Sequence, residues 1–363
     1  QNTKTSFGIQ PSTPKTPIQS VNELNDECIS SAVLGHLKAI ASEFTLAALE
    51  ATHPVLRRIF ADSIPNIIEM GYEVYYEHES EIEYKDYMKD IDVLMCHSVF
   101  KKIDIEKLSS LKWIQLTSMG FEQVPKEEAK KRNIIVTNNK GGYSIPMGEW
   151  VVLNILELIK NRKKAYENQL NKRWYMDFSV QEIYKKKIAF IGTGDIAKES
   201  VKRLRGFEVE LLGINTDGRE IEGFDKCFSM KEIDYVLSIS DVVVICLPNT
   251  EKTKHLFNKE KLDKMKEDAY LINVSRGAII NEEDLVSHLS EGKLRGVALD
   301  VFEREPLSKE SKLWNIDRVV ITSHNSWISE NIGERRWKLF HENLRRYMND
   351  EKLLNIVEID KGY

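Results

Sequence analysis

The chain has 363 residues, enough for two domains of about 100–200 residues each. Apolar residues make up 42%, charged residues 30%, and 57 acids against 52 bases leave a net charge of −5. That mild acidity argues against the basic stripe of a nucleic-acid binder. No apolar run approaches the roughly 18 residues of a membrane span, no basic-then-apolar leader opens the chain, and the four cysteines lie far apart without a CxxC pair. These exclusions predict a cytoplasmic globular protein with neither a nucleic-acid nor a membrane partner.

Residues 1–22 hold 15 Gln, Asn, Ser, Thr or Pro and no acid. Such a stretch buries too little apolar surface to offset its ordering entropy, so it is expected to be a flexible tail. From 23 to 70 the pattern predicts a helical hairpin. Ile29, Val33, Leu37, Ile40, Phe44 and Ala48 recur at helical spacing, His53-Pro54 interrupts them, and Val55 to Ile68 supports a second helix.

From Gly71 onward short apolar runs alternate with helix-length polar segments. Strands are expected at 72–76, 92–96, 113–116 and 134–137, and a long helix at about 145–168 with Ser144 and Pro146 suited to its first turn. A denser series follows at 187–191, 208–214, 241–246, 269–273, 295–299 and 318–321, and an amphipathic helix at about 330–348 closes the chain. Strands alternating with helices imply an α/β protein with two doubly wound parallel sheets.

The strand at 187–191 runs into Gly192-Thr193-Gly194-Asp195-Ile196-Ala197 and then a helix. GxGxxA between strand and helix is the dinucleotide fingerprint: Gly192 permits the turn, Gly194 lets a pyrophosphate approach the backbone, and the helix N-terminus holds the anion. The strand at 208–214 ends in Asn215-Thr216-Asp217-Gly218-Arg219. Neutral Asn215 stands where an acid would bind the ribose hydroxyls, with Arg219 nearby. NADP(H) is therefore favoured, and NAD(H) is the alternative if Asp217 meets the ribose instead.

Three features follow in order: Val274-Ser275-Arg276-Gly277, the stretch from Gly296 through Asp300 to Glu305-Pro306, and Thr322-Ser323-His324-Asn325. All lie at or just beyond the carboxyl ends of expected strands, where open α/β sheets bind ligands. This order of motifs resembles the D-isomer-specific 2-hydroxyacid dehydrogenase family, over roughly 71–363. The resemblance implies a flavodoxin-like substrate domain (71–145 with 325–363) and a Rossmann cofactor domain (146–324), acting on a small 2-keto or 2-hydroxy acid. It implies that Arg276 binds the substrate carboxylate and carbonyl, His324 is the acid/base and Glu305 hydrogen-bonds it. It further implies that Asp300 orients the nicotinamide carboxamide, that Ser118-Met119-Gly120 binds carboxylate, and that Pro248 and Thr253 line the cofactor. It also suggests a homodimer built on the helix at 145–168 and the following Arg173-Trp174-Tyr175.

The residue types suit that chemistry. Hydride arriving at a keto carbon places negative charge on its oxygen, so a proton donor and a fixed cation must face it. The planar guanidinium bonds two carboxylate oxygens at once. The sequence departs from relatives at Ser323, where many have Pro, while Trp327 is expected to pack at the domain seam. Relatives also begin with a β-strand that residues 23–52, read as helical, do not supply. Residues 25–71 resemble helical ferritin-like spore-coat proteins instead. Two other functions therefore stand beside the enzyme: a dinucleotide-sensing protein without turnover, and a coat-type structural protein led by the hairpin. If the hairpin is separate, deleting residues 1–50 should leave reductase activity alone.

Overall fold

The computed structural model describes residues 44–50, 63–79 and 81–360. The expected tail at 1–22 and most of the first expected helix lie outside the described residues. Five parallel strands form one sheet: β1 (Phe44–Glu50), β2 (Tyr72–His78), β3 (Val93–Cys96), β4 (Trp113–Leu116) and β5 (Ile135–Thr137), in the order β2-β1-β3-β4-β5. Seven form a second sheet: β6 (Lys187–Ile191), β7 (Glu210–Asn215), β8 (Lys226–Ser229), β9 (Val242–Ile245), β10 (Tyr270–Asn273), β11 (Gly296–Leu299) and β12 (Val319–Ile321). Their order is β12-β11-β10-β9-β6-β7-β8, so the strand order reverses between β6 and β9.

Both sheets are covered on both faces, as parallel sheets require. Successive residues alternate sides: Ala189 and Ile191 enter one core cluster, Ile188 and Phe190 the other. In the first sheet Leu94 and Cys96 face one cluster and Val93 and Met95 the other. The closing helix, Ile332–Met348, sets Phe340 and Leu344 into that second cluster, and the Tyr72 hydroxyl donates to the Leu344 carbonyl at 2.9 Å.

The N-terminal reading needs correction. Residues 44–48, expected to end a helix, lie in β1, which pairs with β2 over seven register positions and with β3 over three. The strand thought to be missing is present and central. Phe44-Thr45-Leu46-Ala47-Ala48-Leu49-Glu50 is rich in good helix formers; backbone pairing on both edges overrides that propensity. Residues 63–69 are helical, within the second expected helix. Deleting residues 1–50 is therefore expected to abolish cooperative unfolding and activity together, because each buried backbone group left unpaired costs about 1–3 kcal/mol. Thermal melts of the full and shortened chains check this, and an unchanged midpoint would refute it.

Two smaller differences concern boundaries. The long helix is broken: Ser144–Ile159 and Arg162–Leu170 are joined through Asn161, which is left-handed at φ 47. Asn tolerates that conformation, and the break is where the following arm returns, with Asn161 Nδ2 donating to Asp177 at 2.7 Å and Gln181 N to the Ile159 carbonyl at 3.0 Å. The edge strand β8 had no signal of its own. No described helix is long and apolar enough to cross a membrane.

Candidate active site

The nucleotide turn sits at the β6/β9 reversal. Gly192 has φ 104, and a Cβ there would lie 2.6 Å from the Cys246 carbonyl oxygen at the end of β9, so glycine alone fits. A Cβ on Gly194 would meet nothing within 4 Å; this open space faces the N-terminus of the Asp195–Leu204 helix. Thr193, Ile196 and Ala197 are buried, and Asp195 is half-buried in the first turn. The helix is held close by Gly148 of Ser144–Ile159, whose Cβ would come within 3.1 Å of Ser200 N. A glycine turn over the first N–H groups of a helix is what a pyrophosphate needs, so these residues fit a dinucleotide.

Around this cradle the other expected contacts fall into two loops. After β9, Thr253 Oγ1 donates to the Pro248 carbonyl at 2.7 Å and accepts from Thr250 N at 2.8 Å, folding that loop on itself. After β7, the Asn215 side chain accepts from Gly218 N and donates to the Arg219 carbonyl, both at 2.8 Å. Its amide thus shapes the loop. Thr216 is exposed, and Arg219 Nη1 pairs with Asp217 at 2.7 Å, which holds the Asp217 carboxyl below its usual range.

The remaining groups rise from three adjacent strands, β10, β11 and β12. Backbone bonds continue past the strand ends: Asp300 N donates to the Asn273 carbonyl at 3.1 Å and His324 N to the Asp300 carbonyl at 2.8 Å. Three neighbouring loops are thereby locked side by side. Arg276 leaves β10 on a turn built by buried Asn273, whose Oδ1 accepts from Ser275 N at 3.1 Å and whose Nδ2 donates to the Arg276 carbonyl at 3.0 Å. Gly277 lies against the Phe302 backbone with no room for a Cβ. Phe302 N in turn donates to Glu305 Oε1 at 3.0 Å.

His324 Nδ1 lies 2.7 Å from Glu305 Oε2. A carboxylate there accepts from Nδ1–H, which leaves Nε2 free for proton transfer. His324 itself is left-handed at φ 50. Asp300 is fully buried, and its carboxylate accepts from Thr322 Oγ1, from Asn325 N at 3.0 Å and from Ser326 N at 3.0 Å. In the structure it ties down the His324 loop. Trp327 packs edge-on against Tyr143, 5.9 Å between centroids, and donates to the His324 carbonyl at 2.8 Å.

Opposite Arg276, the loop after β4 is braced internally. Ser118 Oγ donates to the Gly120 carbonyl at 2.7 Å, and Asn138 Nδ2 to the Met119 carbonyl at 2.8 Å. Met119 packs partly buried against the core of the second sheet. Sequence reasoning missed Asn273 and Gly277 as positioning residues. Asn-x-Ser-Arg-Gly just after a buried strand was the available signal, since Asn is the residue that bonds its own backbone two residues on.

A family model described as "D-isomer specific 2-hydroxyacid dehydrogenase, NAD binding domain" matches residues 152–326. A Coat F domain model matches 25–78, a span that includes β1 and β2. The chain is 35% identical over 273 residues to a glyoxylate reductase of Thermofilum pendens, covering 73% of this chain and 80% of that protein. It is 30% identical to a D-3-phosphoglycerate dehydrogenase of Methanocaldococcus jannaschii, over 75% of this chain and 52% of that one. Among solved structures, a D-isomer specific 2-hydroxyacid dehydrogenase family protein of Aeromonas salmonicida superposes with TM-score 0.76 at 29% identity, covering 88% of this chain and 100% of that one.

Proposed function

The chain belongs to the D-isomer-specific 2-hydroxyacid dehydrogenase family, and from that premise we propose a reductase of small 2-keto acids, reversible as oxidation of the D-2-hydroxy acid, with Arg276, Glu305 and His324 as its catalytic residues. The observation that carries the reading is the His324–Glu305 pair, set on loops locked beside that of Arg276 at one end of the sheet that holds the glycine cradle. Bound reduced nicotinamide supplies the hydride to the keto carbon. His324 Nε2 gives its proton to the carbonyl oxygen as charge develops there, and Glu305 keeps the ring in the orientation that does so. Arg276, with backbone amides of the Ser118-Met119-Gly120 loop, grips the carboxylate and polarises the carbonyl. Asp300 holds the His324 loop, one edge of the nicotinamide site. Gly192 to Ile196, with Pro248 and Thr253, form the rest of the cofactor's bed.

We further favour NADP(H). A 2′-phosphate would take Arg219 from Asp217, and no acid at position 215 repels it. Loss of nicotinamide absorbance with glyoxylate, hydroxypyruvate and pyruvate, followed with both cofactors, tests the function and the preference together. Arg219→Ala should raise KM for NADPH about tenfold, the effect of one lost charge-assisted contact, and leave KM for NADH within about twofold. A strong native preference for NADH overturns the cofactor reading alone. Cofactor binding without turnover of any 2-keto acid favours the dinucleotide-sensing alternative.

A homodimer is part of the same reading. Trp174 is 98% and Phe178 88% exposed, beside exposed Tyr166, Leu170, Tyr175 and Met176. Apolar residues clustered this densely on a surface mark a protein contact. A cytoplasmic location accords with the chemistry proposed.

A further inference from the structure

The loop that faces Arg276 brings a carboxylate of its own. Glu122 Oε1 lies 3.5 Å from Arg276 Nε, with half of its side chain exposed. The approach depends on Gly120: a Cβ there would sit 2.5 Å from Arg276 Nη2 and would overlap the Glu122 carboxylate. The space of a missing side chain is thus filled by the ends of these two. The loop is not slack, because Gln123 Nε2 donates to the His97 carbonyl at 2.6 Å and to Ser118 Oγ at 3.0 Å. Arg276 Nη1 donates to the Ser275 carbonyl at 2.8 Å. Glu122 is the carboxylate recorded on Arg276 among the described residues.

We propose that Glu122 is a specificity-determining residue that selects 2-keto acids carrying a single negative charge. The inference rests on Arg276 being the carboxylate anchor proposed above. A guanidinium offers five N–H donors, so a substrate carboxylate takes the Nη edge while Glu122 keeps to Nε. One cation then serves two anions. A third negative charge, such as a distal carboxylate or phosphate on the substrate, meets Glu122 without a counter-ion to offset it. Like charges a few ångströms apart in a partly desolvated cleft repel strongly enough to separate substrates by an order of magnitude or more. A substrate with a hydrogen, methyl or hydroxymethyl beyond the keto carbon meets no such penalty.

Pyruvate and oxaloacetate form the matched probe pair, since the second adds one carboxylate to the first. With saturating reduced cofactor, Glu122→Gln should lower KM for pyruvate about twofold to threefold, because Arg276 then offsets one anion instead of two. KM for oxaloacetate should fall about tenfold or more, so the oxaloacetate-to-pyruvate ratio of kcat/KM rises several-fold. Glu122→Ala should move the ratio in the same direction. It guards against a fold-specific effect of the glutamine. A merely structural Glu122 would raise both KM values in parallel and leave the ratio unchanged, and that outcome overturns the proposal. A native chain that turns over no 2-keto acid, glyoxylate and hydroxypyruvate included, with either cofactor overturns the anchor reading itself. That result is distinct from an active native chain whose variants keep the native ratio.

Discussion

His324→Ala is expected to lower kcat for 2-keto acid reduction by about 10²–10⁴, the usual worth of a positioned general acid. Binding of the reduced cofactor should be unchanged, because the cradle residues Gly192 and Gly194 lie on another loop of the sheet. Geometry explains why the loss should fall on the chemical step. Nδ1 is committed to Glu305 at 2.7 Å and the main chain is tied to Asp300, so only Nε2 is left to act. Single-turnover absorbance at the nicotinamide band, beside a fluorescence titration of cofactor, separates the two quantities. Turnover within threefold of the native value would remove His324 from the mechanism.

Arg276→Lys should cost about 10²–10³ in kcat/KM, although it keeps the charge. The guanidinium divides its donors among the Ser275 carbonyl, Glu122 and, in the proposed complex, the substrate. An ammonium is a point charge without the planar fork, and it cannot grip carboxylate and carbonyl together while meeting the others. The loss should appear in KM as well as kcat, with cofactor affinity retained. Steady-state kinetics across pyruvate concentrations measure it. A lysine variant within threefold of native kcat/KM would mean that the substrate is held elsewhere.

How much of this was legible in one dimension varies with the range of the forces involved. The glycine turn could be read because it is local: strand, φ-permissive glycine and helix start follow one another within about ten residues. The ten strands expected from 72 onward match β2 to β7 and β9 to β12 closely, since buried parallel strands are near-continuous apolar runs. Asp300 lies where expected along the chain, yet it is buried and bonded to Thr322, Asn325 and Ser326. Its hold on the loop of His324 depends on β11 and β12 being neighbours, which spacing alone does not state. Glu122 was passed over for the same reason: 154 residues separate it from Arg276.

The clearest misreading was β1. Ala, Leu and Glu in Phe44–Glu50 favour a helix when weighed alone, and Phe44 and Ala48 continued a helical spacing begun upstream. In the fold, all seven residues pair with β2 and Leu46 to Ala48 pair with β3 as well, and these backbone hydrogen bonds outweigh a propensity of a few tenths of a kcal/mol per residue. The Asn161 break was hidden in a similar way, because the returning arm at 177–181, distant in sequence, fixes the turn.

The order of residues along the chain was enough to specify the nucleotide turn, the class of sheet and the chemical types gathered for reduction, since each depends on neighbours within a turn or a strand. Which segment fills the centre of the first sheet, and which carboxylate stands beside Arg276, emerged only on folding. Those choices rest on hydrogen bonds and charge contacts between segments far apart in sequence, and such contacts exist only once the sheets have assembled.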